Sequence, residues 1–80
     1  MSPKLPQVSG KKVIGLLERL GYEVVRQRGS HVRLKKVLKI GVHTITVPKH
    51  KSVAKGTLGD ILEKVSLWND ISKDELIEMV

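Results

Sequence analysis

The chain has 80 residues, enough for one domain around one modest core, and we treat residues 1–80 as a single domain. It contains no cysteine, which excludes disulfides, thiolate catalysis and cysteine-ligated zinc. No apolar run approaches the roughly 20 residues that span a bilayer, and the first four residues lack an apolar signal-peptide core. These features predict a cytoplasmic protein that does not contact membranes.

Positive charge is concentrated in the first two thirds of the chain. Fifteen Lys and Arg against eight Asp and Glu give a net charge of +7. Residues 1–55 hold thirteen of these cations against only Glu18 and Glu23, whereas residues 56–80 hold two cations against six acids. A basic surface favours a polyanion partner, because binding releases counterions condensed on the phosphates. The alternative is a solvated basic face that only keeps the protein soluble.

The N-terminal third predicts an extended lead-in followed by a helix. Residues 1–8 include two prolines, and Ser9 can cap a helix by accepting a backbone N–H. Apolar residues then recur at the i, i+3, i+4, i+7 spacing of one helix face: Val13, Leu16, Leu17 and Leu20. Gly21 is a typical residue for ending such a helix.

The middle of the chain predicts three strands. Residues 22–27 are rich in strand-forming side chains, residues 28–30 form a short turn, and residues 31–35 alternate with period 2. This alternation places His31, Arg33 and Lys35 on one side. Residues 36–42 are expected to form a mobile loop, residues 43–47 the third strand, and residues 49–55 a basic loop after Pro48.

The C-terminal third predicts two helices. Thr57 and Asp60 have capping-box spacing ahead of an apolar stripe that ends near Leu67. Ser72 has the same spacing to Glu75, which predicts a short helix within residues 72–80. We expect Trp68 to pack this last helix against the body of the domain.

The order of these elements predicts an α+β fold with a three-stranded antiparallel sheet. Both main helices would cover one face of the sheet and leave the other open. The residues expected on or beside the open face are His31, Arg33, Lys35, Thr44 and Thr46.

Histidine is the only side chain available for proton transfer in the basic region, because residues 28–58 contain neither Asp nor Glu. RNA can be cut without a metal, since its 2′-hydroxyl is an internal nucleophile that needs only acid–base and cationic assistance. His31 lies close in sequence to Arg28 and Arg33 and is the candidate; the alternative is an exposed histidine that only contacts phosphate or solvent. His43 and His50 are expected to be surface or turn residues. The irregular histidine spacing predicts no metal site, and nothing indicates a cofactor.

Two blocks of the sequence resemble the HicA toxin family. The first runs from Gly21 to His31 and ends in a Gly-Ser-His turn after a basic strand. The second is a Val-Pro-Lys-His segment at 47–50 that leads through Lys-Gly-Thr-Leu at 55–58 into a helix. The similarity covers roughly residues 9–67.

This resemblance implies a fold like that of double-stranded-RNA-binding domains, ribosome-independent cleavage of mRNA, and a HicB-like antitoxin as protein partner. His31 matches the catalytic histidine of the family. On this hypothesis the chain is a metal-independent endoribonuclease, and the residues expected to contact RNA are Arg28, Ser30, Arg33, Lys35, Lys49 and His50. Two alternatives stay open: a non-catalytic RNA-binding module that uses the same face, and a protein-interaction subunit that binds an acidic partner.

Overall fold

A computed structural model describes residues 4–80, so the first three residues of the predicted lead-in lie outside the described range. The elements are, in chain order, α1 (Gly10–Arg19), β1 (Glu23–Arg28), β2 (His31–Leu38), β3 (Gly41–Pro48), α2 (Lys55–Asn69) and α3 (Lys73–Met79). The strands form one antiparallel sheet in the order β1-β2-β3. The predicted α+β class is confirmed. No helix within residues 4–80 is long and apolar enough to cross a membrane.

Helix α1 begins and ends as its sequence predicts. The Ser9 hydroxyl accepts a hydrogen bond from the Lys12 backbone N–H at 3.2 Å, which satisfies one of the free donors at the helix start. The chain leaves the helix through Gly21, whose φ of +101° is disfavoured for residues with a side chain. Between these ends, Val13, Leu16 and Leu17 are buried.

The core lies between the helices and one face of the sheet. The buried apolar residues of the sheet are Val32, Leu34, Ile45 and Val47, which alternate with exposed neighbours along β2 and β3. Burying one such side chain contributes roughly 1.5–3 kcal/mol. Helix α2 provides Leu58, Ile61, Leu62 and Val65, and α3 adds Leu76. The opposite sheet face therefore carries no helix and is open.

The predicted mobile loop over residues 36–42 is wrong. β2 continues to Leu38, β3 begins at Gly41, and only Lys39 and Ile40 form the turn between them. Val37 pairs with Val42 and Leu38 with Gly41, so the ladder continues to the tip of the hairpin. The strands extend because strand-forming residues flank a two-residue turn, while Gly41 takes the φ of +141° that the turn requires.

Helix α2 is longer than its capping pattern predicts. It begins at Lys55 after Ala54, which makes no side-chain cap, so the capping box expected from Thr57 and Asp60 is wrong. The buried Val53 anchors the chain just before the helix, and the Leu58 backbone N–H already bonds to the Ala54 carbonyl. At its other end α2 continues past Leu67 to Asn69. The predicted short helix is confirmed, with the Ser72 hydroxyl accepting from the Glu75 N–H at 3.1 Å.

Candidate nucleic-acid interface

A tight turn positions the imidazole of His31. Gly29 and Ser30 alone connect β1 to β2, and Gly29 has a φ of +59°, which glycine adopts without steric cost. Arg28 is therefore the last residue of β1 and pairs directly with His31, instead of belonging to the turn as predicted. Directly opposed residues of an antiparallel pair share one face of the sheet, so the guanidinium and the imidazole both lie on the open face.

Three arginines surround His31 in a depression of about 280 Å³. Its lining residues are Arg26, Arg28, His31, Arg33 and Thr46. The strand register explains the grouping, because Arg26 and Thr46 are the neighbours of Arg33 on the two adjacent strands. No acidic residue lines the depression, so an anion bound there would meet several guanidinium groups at once.

The other predicted site residues lie at either end of this depression. Lys35 is exposed farther along the same strand, between Glu23 and Thr44, and borders a separate depression. Ser30, Lys49 and His50 lie together at the turn end. The Lys49 backbone N–H donates to the Ser30 carbonyl at 2.5 Å, and His50 Nε2 lies 3.3 Å from Ser30 Oγ. The residues predicted to contact RNA thus fall into three places. The arginines lie in the depression, Lys35 lies farther along β2, and Ser30, Lys49 and His50 lie at the turn.

Arg26 lines the depression, although the sequence patterns did not predict it as a site residue. A signal for it was available: a two-residue turn pairs Arg28 with His31, and the residue two positions earlier must then face the same way. The register shift between Val24 and Arg26 marks where this alternation is interrupted, since Val24 opposes the buried Leu34.

His43 is not the surface or turn residue that the sequence predicts. It lies inside β3 with only 5% of its surface exposed, on the helix-covered face and away from His31. The Trp68 ring stacks on it at a centroid distance of 4.9 Å and an angle of 3°. Trp68 therefore packs against the sheet, and its expected role in packing α3 stays a prediction.

A chain of hydrogen bonds connects the buried His43 to Tyr22, Asn69 and Lys36. Lys36 Nζ donates to Asn69 Oδ1 at 2.5 Å, and Asn69 Nδ2 donates to the Tyr22 hydroxyl at 2.9 Å. The hydroxyl lies 2.5 Å from His43 Nδ1, and because it already accepts from Asn69, we infer that it donates its own proton to that nitrogen. Burial lowers the pKa of His43, and the nearby charge of Lys64 lowers it further. Burial also raises the pKa of Tyr22, partly offset by the hydrogen bond from Asn69.

The three histidines are therefore in different chemical situations. His31 is exposed among arginines, His50 is exposed beside the turn, and His43 is buried and already hydrogen-bonded. Residues 4–80 contain no group of three or more His, Asp or Glu that could hold a metal ion. The chemistry that the open face itself offers is anion binding by guanidinium groups combined with proton transfer by imidazole.

A comparison with protein families identifies one match. The family model described as HicA toxin of bacterial toxin-antitoxin matches residues 10–67, which is 58 of the 80 residues. The matched range contains the whole sheet and its arginine-lined depression. Comparisons with curated proteins and with solved structures gave no match.

Proposed function

The chain belongs to the HicA toxin family, and on that premise we propose that it is a metal-independent endoribonuclease that cleaves mRNA with His31. One observation carries this proposal: the His31 imidazole lies in a depression lined by Arg26, Arg28 and Arg33. Guanidinium groups bind phosphate in a bidentate manner and keep their charge at all physiological pH values. The depression thus combines a proton carrier with fixed positive charge at one place.

The proposed reaction is transfer of the RNA phosphodiester to its own 2′-hydroxyl. His31 moves a proton at the ribose–phosphate link, while the arginines stabilise the additional negative charge on the pentacoordinate phosphorus. Lys35 and Lys49 would bind neighbouring phosphates of the RNA, and Ser30 and His50 would contact RNA at the turn. Fixed cations of this kind lower the barrier without rearranging during the reaction.

The proposed protein partner is a HicB-like antitoxin, in line with the toxin–antitoxin pairing that the family name states. A partner that covers the open face would block access of RNA to His31 and would need carboxylates to match the arginines. We propose the bacterial cytoplasm, where mRNA is found, as its site of action.

The test is cleavage of a labelled single-stranded RNA by purified protein in the presence of EDTA. We expect the wild type to cut and His31→Ala to lose on the order of 10²–10⁴-fold in rate while keeping its fold and RNA affinity. Lys64→Ala is a matched control, because Lys64 lies on α2 and its charge is already paired with Asp60 at 3.0 Å. If the wild type and His31→Ala both bind RNA and neither cuts it, the protein is a non-catalytic RNA-binding module and not a ribonuclease. If neither protein binds RNA, an interaction subunit for an acidic protein becomes the better description.

A further inference from the structure

A second exposed imidazole lies at the turn that precedes His31. His50 follows β3, and its Nε2 lies 3.3 Å from the hydroxyl of Ser30, the residue immediately before His31. His50 is exposed and its other ring nitrogen has no hydrogen-bond partner within residues 4–80. This second ring nitrogen of His50 is therefore available to a ligand.

The backbone around His50 is held in place on two sides. The Gly10 N–H, at the start of α1, donates to the His50 carbonyl at 2.9 Å, and the Lys49 N–H donates to the Ser30 carbonyl at 2.5 Å. The approach of α1 is so close that a Cβ on Gly10 would lie 2.1 Å from the Pro48 carbonyl oxygen. The start of α1 and the turn before His31 thus fix the position of the His50 backbone.

The pairing of β2 with β3 brings His50 close to the turn that carries His31. His31 pairs with Pro48, so these two residues share the open face. His50 lies two residues beyond Pro48, where β3 ends, and its ring reaches Ser30, the residue that precedes His31. Two exposed imidazoles at one turn are placed to act on the same phosphodiester of a bound RNA.

The reaction requires two proton carriers. One group must remove the proton of the 2′-hydroxyl, and a different group must protonate the 5′-oxygen as it leaves on the opposite side of phosphorus. Arginine does not release its proton at physiological pH. His43 is buried on the other face and already accepts from Tyr22, and Glu23 lies at the far end of β1, opposite Lys35.

We propose that His50 is the second proton-transfer residue, acting together with His31 across the scissile phosphate; this rests on the proposed ribonuclease function. One imidazole takes the 2′-hydroxyl proton while the 2′-oxygen forms its bond to phosphorus. The P–O5′ bond then breaks, and the other imidazole, initially protonated, gives its proton to the leaving 5′-oxygen. The products are a 2′,3′-cyclic phosphate and a 5′-hydroxyl, and the two histidines have exchanged protonation states.

The experiment compares His31→Ala and His50→Gln on two single-stranded RNAs. One is an ordinary RNA, and the other has sulfur in place of the 5′-oxygen at the cleaved bond, so that its leaving group departs without a proton. Lys64→Ala serves as the control, and circular dichroism with RNA-binding affinity checks that each variant is folded. His50→Ala repeats the test without the glutamine amide, which could still hydrogen-bond to Ser30.

We expect both His50 variants to lose on the order of 10²–10⁴-fold in rate on ordinary RNA and to lose one limb of the bell-shaped pH–rate profile. We also expect the sulfur leaving group to restore most of the rate of one histidine variant and not of the other. A sulfur leaving group does not need a proton, so the substrate rescues only the variant that lacks the general acid. The inference is overturned if His50 variants cut at the wild-type rate, or if they are slowed equally on both substrates with both limbs of the profile intact. A wild type that does not cut either substrate refutes the proposed function itself, which separates the two failures.

Discussion

The open face predicts a steep and specific dependence of RNA binding on salt. Five cations lie on or beside it: Arg26, Arg28 and Arg33 in the depression, Lys35 farther along β2, and Lys49 at the turn. Each phosphate contact with single-stranded nucleic acid adds about 0.7 to the slope of log affinity against log salt, so five contacts give a slope of about −3.5. Between about 50 and 200 mM salt the affinity should therefore fall roughly 100-fold.

Fluorescence anisotropy of a labelled RNA measures this slope, with His31→Ala as the background so that the RNA stays intact. In that background, Arg33→Ala should weaken binding and reduce the slope by about 0.7, because one phosphate contact is removed. Lys64→Ala should leave the slope unchanged, since that lysine lies on α2 and pairs with Asp60. A slope near −1 in the parent, or equal effects of Arg33→Ala and Lys64→Ala, would refute the assignment of this face to phosphate binding.

Three further predictions concern the packing behind this face. Tyr22→Phe removes the donor to His43 Nδ1 and leaves a buried acceptor unsatisfied; this should cost about 1–3 kcal/mol and lower the melting temperature by about 5–20 °C in calorimetry. Because the pKa of His43 is lowered in the folded state from its ordinary 6.5, stability should be fully present above pH 6.5 and decrease as the pH falls below it. Urea unfolding at several pH values tests this, and His43→Gln should flatten the dependence. Gly10→Ala forces a Cβ to within 2.1 Å of the Pro48 carbonyl and should destabilise the protein, whereas Gly15→Ala, with nothing within 4 Å, should stabilise it by about 1 kcal/mol. A Gly10→Ala variant as stable as its Gly15 counterpart would contradict the close approach of α1.

Local patterns predicted most of the fold. The alternation at His31–Lys35 and the apolar stripe of α1 depend on neighbours within one strand or one helical turn, and both are confirmed. The loop predicted at residues 36–42 failed because Lys39 and Ile40 lack the residues that usually mark a tight turn. Only Gly41 indicated that the chain reverses there.

The environments of the histidines could not be predicted, because they depend on residues far away in the chain. His43 is buried by Trp68, 25 positions later, and bonded by Tyr22, 21 positions earlier. His50 reaches Ser30 across 20 positions, and only the register of β2 with β3 brings the two together. Periodicity describes which face a residue occupies, and it contains no information on which distant side chain lies there.

The facing guanidinium groups of Arg26 and Arg33 have a consequence for the lifetime of the protein. Like charges on adjacent strands repel, and here they weaken the attachment of β1, an edge strand whose six residues are all exposed. A polyanion bound between the two guanidinium groups reduces that repulsion and stabilises the pairing of β1 with β2, because a ligand stabilises the state that binds it. We therefore expect β1 to fray most often, and proteases to cut it most readily, when no polyanion is bound to the open face.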